Sequence, residues 1–348
     1  MDQVTPNHVD VFVSGQDGYQ AFRIPVIEAA SDGSLLAFAE GRKRNCGDPG
    51  TENNEVHLVL KRSVDGGRSW SPMMVIENAG ESWSAANPTS VLDRQTGRIW
   101  LHYLRGKPGR GSEKARPGTD DIRNLVRFSD DHGASWSEPA DITPVCRDLA
   151  DPQWRCTVTG PGGGIQDRHG RLIVPCWKSP YGVFAVFSED QGRSWQRGGM
   201  VPGTCGGDED QVVELSDGRI LLDFRQEVGE HRWLATSSDG GRTWSDPWPG
   251  QTVTPVCCAI ERFTLQSAGD DRNRIIWTGP KGPERRTHLV VRISDDEAGS
   301  FPRERLIAEG PAAYSDMALL QDGNVGVLWE RGPYAFIVFT RLNREFLL

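Results

Sequence analysis

One eight-residue pattern, S-x-D-x-G-x-[ST]-W, occurs four times in this chain. The copies are SVDGGRSW (Ser63 to Trp70), SDDHGASW (Ser129 to Trp136), SEDQGRSW (Ser188 to Trp195) and SSDGGRTW (Ser237 to Trp244). A fifth, SDDEAGSF (Ser294 to Phe301), has its glycine displaced and Phe in place of Trp. The start-to-start spacings are 66, 59, 49 and 57 residues. Self-similarity at such a period is the signature of a repeat architecture.

A second repeat runs out of phase with the first. It is a turn followed by an alternating apolar strand: SDGSLLAF, QTGRIWLHY, RHGRLIVPC, SDGRILLDF, DDRNRIIW and QDGNVGVLW. The turns fall at Asp32-Gly33, Thr96-Gly97, His169-Gly170, Asp217-Gly218, Arg272-Asn273 and Asp322-Gly323. Asp-Gly and its relatives supply the positive φ angles that tight hairpins need. Dividing 348 residues by six such turns gives units of 58 residues. No long stretch has helical periodicity. The expected fold is all-β: a six-bladed β-propeller with four-stranded antiparallel blades, spanning 1–348 as one domain. HVDVFVSG at the start and YAFIVFTRL at the end are expected to complete one blade together.

The repeated box reads as structure. Its Asp and Ser can bond turn amides, its Gly permits the bend and its Trp can pack between blades. Calcium sites are a poorer reading, and a catalytic constellation would not be repeated around a ring.

The net charge is −9, which gives no basic face for nucleic acid. No window approaches eighteen apolar residues, so no membrane span is expected. MDQVTPNHVDVF has neither a basic nor an apolar leader region, so the protein either stays inside the cell or has lost a leader. The seven cysteines (46, 146, 156, 176, 205, 257 and 258) form no CxxC and have no His at zinc-ligand spacing. No metal site and no cofactor are expected, and most of the thiols read as small buried apolar groups.

AFRIPVIEAA (Ala21 to Ala30) reads as a buried strand, yet it carries Arg23. A guanidinium stays charged and is costly to bury unpaired, so Arg23 must face a partner. FRIP, the repeated boxes and the six units together resemble the exo-sialidases, or neuraminidases, of bacterial and animal type. The likeness continues through LLAFAEGR, CGDPG, NPTSVLDRQTGRIWL, GPGGGI, DEDQVVELSDGRILLDFR and AYSDMALLQDGNVGVLWERG, in that family's order and over nearly the whole chain.

The resemblance implies a retaining exo-α-sialidase acting on sialylated glycans. A sialic acid carries a carboxylate on its anomeric carbon, and arginine forks suit a carboxylate. The family's three arginines match Arg23, Arg225 and Arg286, with Arg285 as the alternative to the last and His288 replacing the family's Asn. Glu330 matches the carboxylate that braces the first arginine, and Arg42 an arginine near a ring hydroxyl. Tyr314 matches the nucleophile, Glu209 the glutamate beside it, and Asp48 the acid/base on a mobile loop. A neutral phenol avoids the repulsion that a carboxylate nucleophile would meet at this carbon.

Two rival readings share these residues. One is a hydrolase of a related 2-keto-3-deoxy sugar (Kdn or Kdo), or a trans-sialidase. The other is a non-catalytic Asp-box propeller, which would have no reason to hold Asp48, Glu209, Tyr314 and the arginines together.

Overall fold

The computed structural model describes residues 6–51, 54–203 and 206–348. Cys205 lies outside the described residues. Successive antiparallel meanders account for most of the chain. The first runs Ala21–Ala29, Leu35–Arg42, Val56–Ser63 and Met74–Glu77. The next runs Ser84–Leu92, Ile99–Gly106, Ile122–Ser129 and Ala140–Asp141. The pattern repeats through Gly207–Glu214, Ile220–Gln226, His231–Ser237 and Trp248–Thr252.

Near the C-terminus the repeat is modified. Arg303–Leu319 is one continuous strand of 17 residues. Its first half pairs with Thr287–Ser294 and its second half with Val325–Arg331, so two units share a strand. Asn7–Val13 pairs antiparallel with Phe336–Leu342, so the first strand does join the last. Leu328 and Phe339 pack in one apolar cluster with Leu35, Ala37 and Val59, which sets the last sheet against the first.

Five of the six hairpin turns carry glycine at positive φ: Gly33, Gly97, Gly170, Gly218 and Gly323. The Arg272-Asn273 turn differs. The chain there makes a 3-10 turn at Gln266–Ala268 and reverses through Gly269 at φ 102°. A longer loop has displaced the two-residue turn expected from the sequence.

All five boxes fold alike. In the third, Ser188 Oγ donates to Asp190 Oδ1 at 2.8 Å, and Ser194 N and Oγ donate to the two Asp190 oxygens at 2.8 and 2.6 Å. The degenerate copy makes the same bonds through Ser294, Asp296 and Ser300, with Ala298 at φ 66° in the glycine position. Gly192 shows why glycine is favoured there. Its φ is 83°, and a Cβ would lie 2.2 Å from the Trp100 ring of the preceding sheet. The box is both a turn and an inter-sheet contact, and Trp195 meets Trp100 edge-on at 6.0 Å.

The innermost strands converge. Gln211 Nε2 donates to Asp316 Oδ1 at 2.9 Å, Ile27 N donates to Asp316 Oδ2 at 2.8 Å, and Ile260 N donates to Gln211 Oε1 at 3.2 Å. This buried hub links four inner strands just beneath the positions where site residues emerge.

Candidate active site

Backbone irregularities deliver the key side chains. Register shifts fall between Arg23 and Val26, Ala86 and Thr89, Gly207 and Asp210, and Ala312 and Ser315. Arg23, Asn87, Glu209 and Tyr314 lie at these bulges, which re-aim side chains at the ends of inner strands. Ile24 sits at φ 61°, an uncommon conformation for a β-branched residue. It is held there by Glu330, whose Oε1 accepts from Ile24 N at 3.0 Å and from Arg23 Nε at 2.6 Å. The other Glu330 oxygen accepts from Tyr314 N at 3.2 Å. One fully buried carboxylate thus braces both the arginine and the tyrosine backbone.

Tyr314 is the centre of the cluster. Its hydroxyl lies 2.6 and 2.7 Å from the two Glu209 oxygens, and Arg225 Nη1 donates to it at 3.1 Å. Arg225 Nη1 also reaches Glu209 Oε2 at 2.7 Å. The Arg23 and Arg286 guanidiniums lie 5.2 and 5.6 Å from the centre of the Tyr314 ring. All three expected arginines therefore converge on one phenol. Burial pushes the Tyr314 phenol well above its ordinary range, with the charge of Glu209 adding to the effect and the arginines opposing it. The resting group is a neutral phenol. Burial works against the charge on Arg23, but Glu330 outweighs it and raises the pKa further.

Arg286 rather than Arg285 faces the site: Arg285 is exposed, while Arg286 Nη2 is held by Pro255 O at 2.8 Å. Arg42 is buried, fixed by Glu40 at 2.7 and 3.0 Å, and its Nη1 donates to Asp48 Oδ1 at 3.2 Å. Asp48 itself is exposed, at the mouth of a cavity of about 480 Å³. Arg42, Asp48, Glu209, Arg225 and Tyr314 all line that cavity, along with an apolar wall of Leu104, Ile122, Val158 and Trp177.

Sequence reasoning missed Tyr334. The Arg23 guanidinium stacks 3.8 Å from its ring centre, and Arg286 Nη1 donates to its hydroxyl at 3.3 Å. Tyr334 thus spaces two of the arginines. Read from the sequence as the first residue of the last strand, YAFIVFTRL, it lies instead in the turn before Phe336–Leu342. Asp208 was also missed. It is buried beside Arg225 at 3.5 Å, and burial raises its carboxyl well above the ordinary range although Arg225 opposes this.

Among the described residues no group of His, Cys, Asp and Glu is arranged to hold a metal ion, and no helix is long and apolar enough to cross a membrane. Cys46 is exposed, and the other described cysteines are buried free thiols.

Residues 33–327 match the BNR repeat-like domain. The chain belongs to the BNR repeat-like family. Its relatives include a sialidase of Micromonospora viridifaciens, 32% identical over 93% of this chain and 52% of that protein. A sialidase of Bacteroides fragilis is 26% identical over 92% of this chain and 62% of its own length. The chain thus spans only about half to three-fifths of these two relatives. A solved Hadza microbial sialidase superposes with a TM-score of 0.86 at 24% identity, over 97% of this chain and 68% of that one. At that identity the likeness speaks for the fold. The resemblance to sialidases read from FRIP and the boxes is matched by these relatives.

Proposed function

We propose that this BNR-family chain is a retaining exo-α-sialidase. The observation that carries the reading is the Tyr314–Glu209 pair at 2.6 and 2.7 Å, ringed by Arg23, Arg225 and Arg286. A cluster of arginines around a neutral phenol suits a substrate with a carboxylate on the carbon under attack. We assign the arginines to that carboxylate and Glu330 to bracing Arg23. The scaffold is read as one six-bladed propeller of four-stranded blades, the shared strand Arg303–Leu319 contributing to two of them.

In this scheme Tyr314 Oη attacks the anomeric carbon while its proton passes to Glu209. Asp48 gives a proton to the departing glycosidic oxygen. The cycle then reverses: Asp48 takes a proton from water, the water oxygen attacks the carbon, and the phenol leaves with the proton held by Glu209. Two inversions retain the α configuration. The high phenol pKa fits transfer during attack rather than a standing tyrosinate, which would repel the substrate carboxylate. Arg42, bonded to Asp48, is placed to help bind a ring hydroxyl beside the acid.

We take the apolar wall of Leu104, Ile122, Val158 and Trp177 to suit an N-acylated sugar better than one with a bare hydroxyl, such as Kdn. The test is hydrolysis of an α-sialoside followed by proton NMR. The α anomer is expected first. No cleavage, or a β anomer first, would reject the scheme, and transfer to added lactose in place of hydrolysis would make the chain a trans-sialidase.

A further inference from the structure

The loop carrying Asp48 is fastened from two sides by residues that have no part in the proposed chemistry. Asn54 is fully buried, and its side-chain bonds to described residues go to this loop. Its Oδ1 accepts from Arg44 N at 3.0 Å. Its Nδ2 faces Asn45 O, Asn45 Oδ1 and Gly47 O at 3.2, 3.1 and 3.1 Å. Its backbone N donates to Thr51 O at 2.8 Å, and Thr51 Oγ1 donates to Asp48 O at 2.5 Å. An uncharged amide buried with this many local partners acts as a staple, and removing it takes a partner from Arg44 N, Asn45 O and Gly47 O in the segment leading into Asp48.

The second fastening comes from the loop that joins Ile99–Gly106 to Ile122–Ser129. The backbone at Gly50 lies so close to Arg110 and Gly111 that a Cβ on Gly50 would fall 2.2 Å from Gly111 N. A Cβ on Gly111 would fall 2.5 Å from Pro49 O. Gly111 is itself anchored, because Lys114 N and Ala115 N donate to its carbonyl at 3.0 and 2.9 Å, and Ser179 Oγ donates to the next carbonyl, that of Ser112, at 2.8 Å. The loop therefore rests against a fixed backbone stop one residue from the acid.

We propose that Asn54 is a positioning residue for Asp48, with Gly111 as its backstop, so that proton delivery to the leaving group depends on two residues that touch no reacting atom. This rests on the reading of Asp48 as the acid. It also departs from the mobile loop that the family resemblance implies: the acid is pre-set, and its geometry is fixed by the staple rather than by closure over substrate.

Leaving-group dependence separates positioning from a general loss of fold. Aryl sialosides with good leaving groups need little protonation, whereas alkyl sialosides need the acid. Asn54→Ala should lower kcat on an alkyl sialoside by roughly tenfold or more while an aryl sialoside loses at most about threefold, with KM little changed on either. In an Asp48→Ala background the same substitution should add nothing further on the alkyl substrate. Gly111→Ala, which pushes a methyl into Pro49 O, should show the same selective loss and provides the test if Asn54→Ala fails to fold. Equal losses on both substrates in folded variants, or no loss on the alkyl one, would overturn the positioning role and leave the sialidase reading standing. A wild-type protein that cleaves neither sialoside would bring down both.

Discussion

Two carboxylate systems in this protein obey opposite rules. At the rim, each box aspartate is bonded by residues two to four positions away. Partial burial works against ionisation of Asp131, yet bonds from Ser135 and Ser129 hold its carboxyl down at about 2. At the centre, carboxylates meet partners from far along the chain: Glu209 and Tyr314 are 105 residues apart, and Arg23 and Glu330 are 307 apart. At the hub beneath them burial dominates. The hub carboxyl of Asp316 is raised to about 6 by burial, against lowering bonds from Ile27 N and Gln211. Groups satisfied locally can be repeated cheaply in every unit. Groups satisfied only by convergence exist once, and the proposed chemistry falls there.

The sharpest way to break this contrast is at the centre. Tyr314→Phe keeps the ring under Arg23 but removes the oxygen proposed to attack. Turnover of an α-sialoside should fall about 10³-fold or more while affinity for a sialic acid analogue persists. A variant that keeps most of its rate removes Tyr314 from the nucleophile role.

At the rim the expected effect is on stability alone. Gly192→Ala forces a left-handed alanine and drives its Cβ into Trp100, so it should cost roughly 2–4 kcal/mol in denaturant unfolding. Rate per folded molecule should not change. A folded variant with a lowered kcat would show that the rim and the centre are coupled.

pH separates the two systems by sign. Because the Asp316 pKa is raised from 3.8 to about 6, its contribution to stability is complete below about 4 and is lost as pH rises through about 6. The depressed box aspartates contribute above their unfolded value and lose that contribution as pH falls. Asp316→Asn should therefore flatten the decline in stability between pH 4 and 6 by at most roughly 3 kcal/mol. A decline unaltered in that variant would mean that folding does not raise the Asp316 carboxyl.

The smallest expected change comes from Asp239→Ala. It removes the acceptor for Thr243 N and Oγ1, at 2.9 and 2.6 Å, in a partly exposed turn. A loss of about 1 kcal/mol with unchanged kcat is expected, read from paired unfolding curves. Loss of activity without loss of stability would contradict a purely structural box.

Local chemistry explains what was legible in the sequence. The boxes and most hairpin turns depend on Ser, Asp and Gly within a few residues of each other, so their spacing alone announced a repeated all-β chain. The terminal strands were legible too, because their apolar alternation lacked a partner nearby. The long strand Arg303–Leu319 was not, since both halves look like ordinary strands and continuity between them depends on how the two sheets sit. The FRIP, DEDQ and AYSDM blocks supplied candidates for the site through resemblance. They named Arg286 with Arg285 as the alternative, and the fold turns Arg286 inward.

Tertiary structure alone decided the stack of Tyr334 on Arg23, the raised phenol of Tyr314 and the two-sided grip on the Asp48 loop. Each depends on distance between segments and on exclusion of water. A residue's type and neighbours fix what it can bond. Only the packing of the inner strands fixes whom it meets and in what dielectric, and those two quantities gather a tyrosine, a glutamate and three arginines into the candidate site.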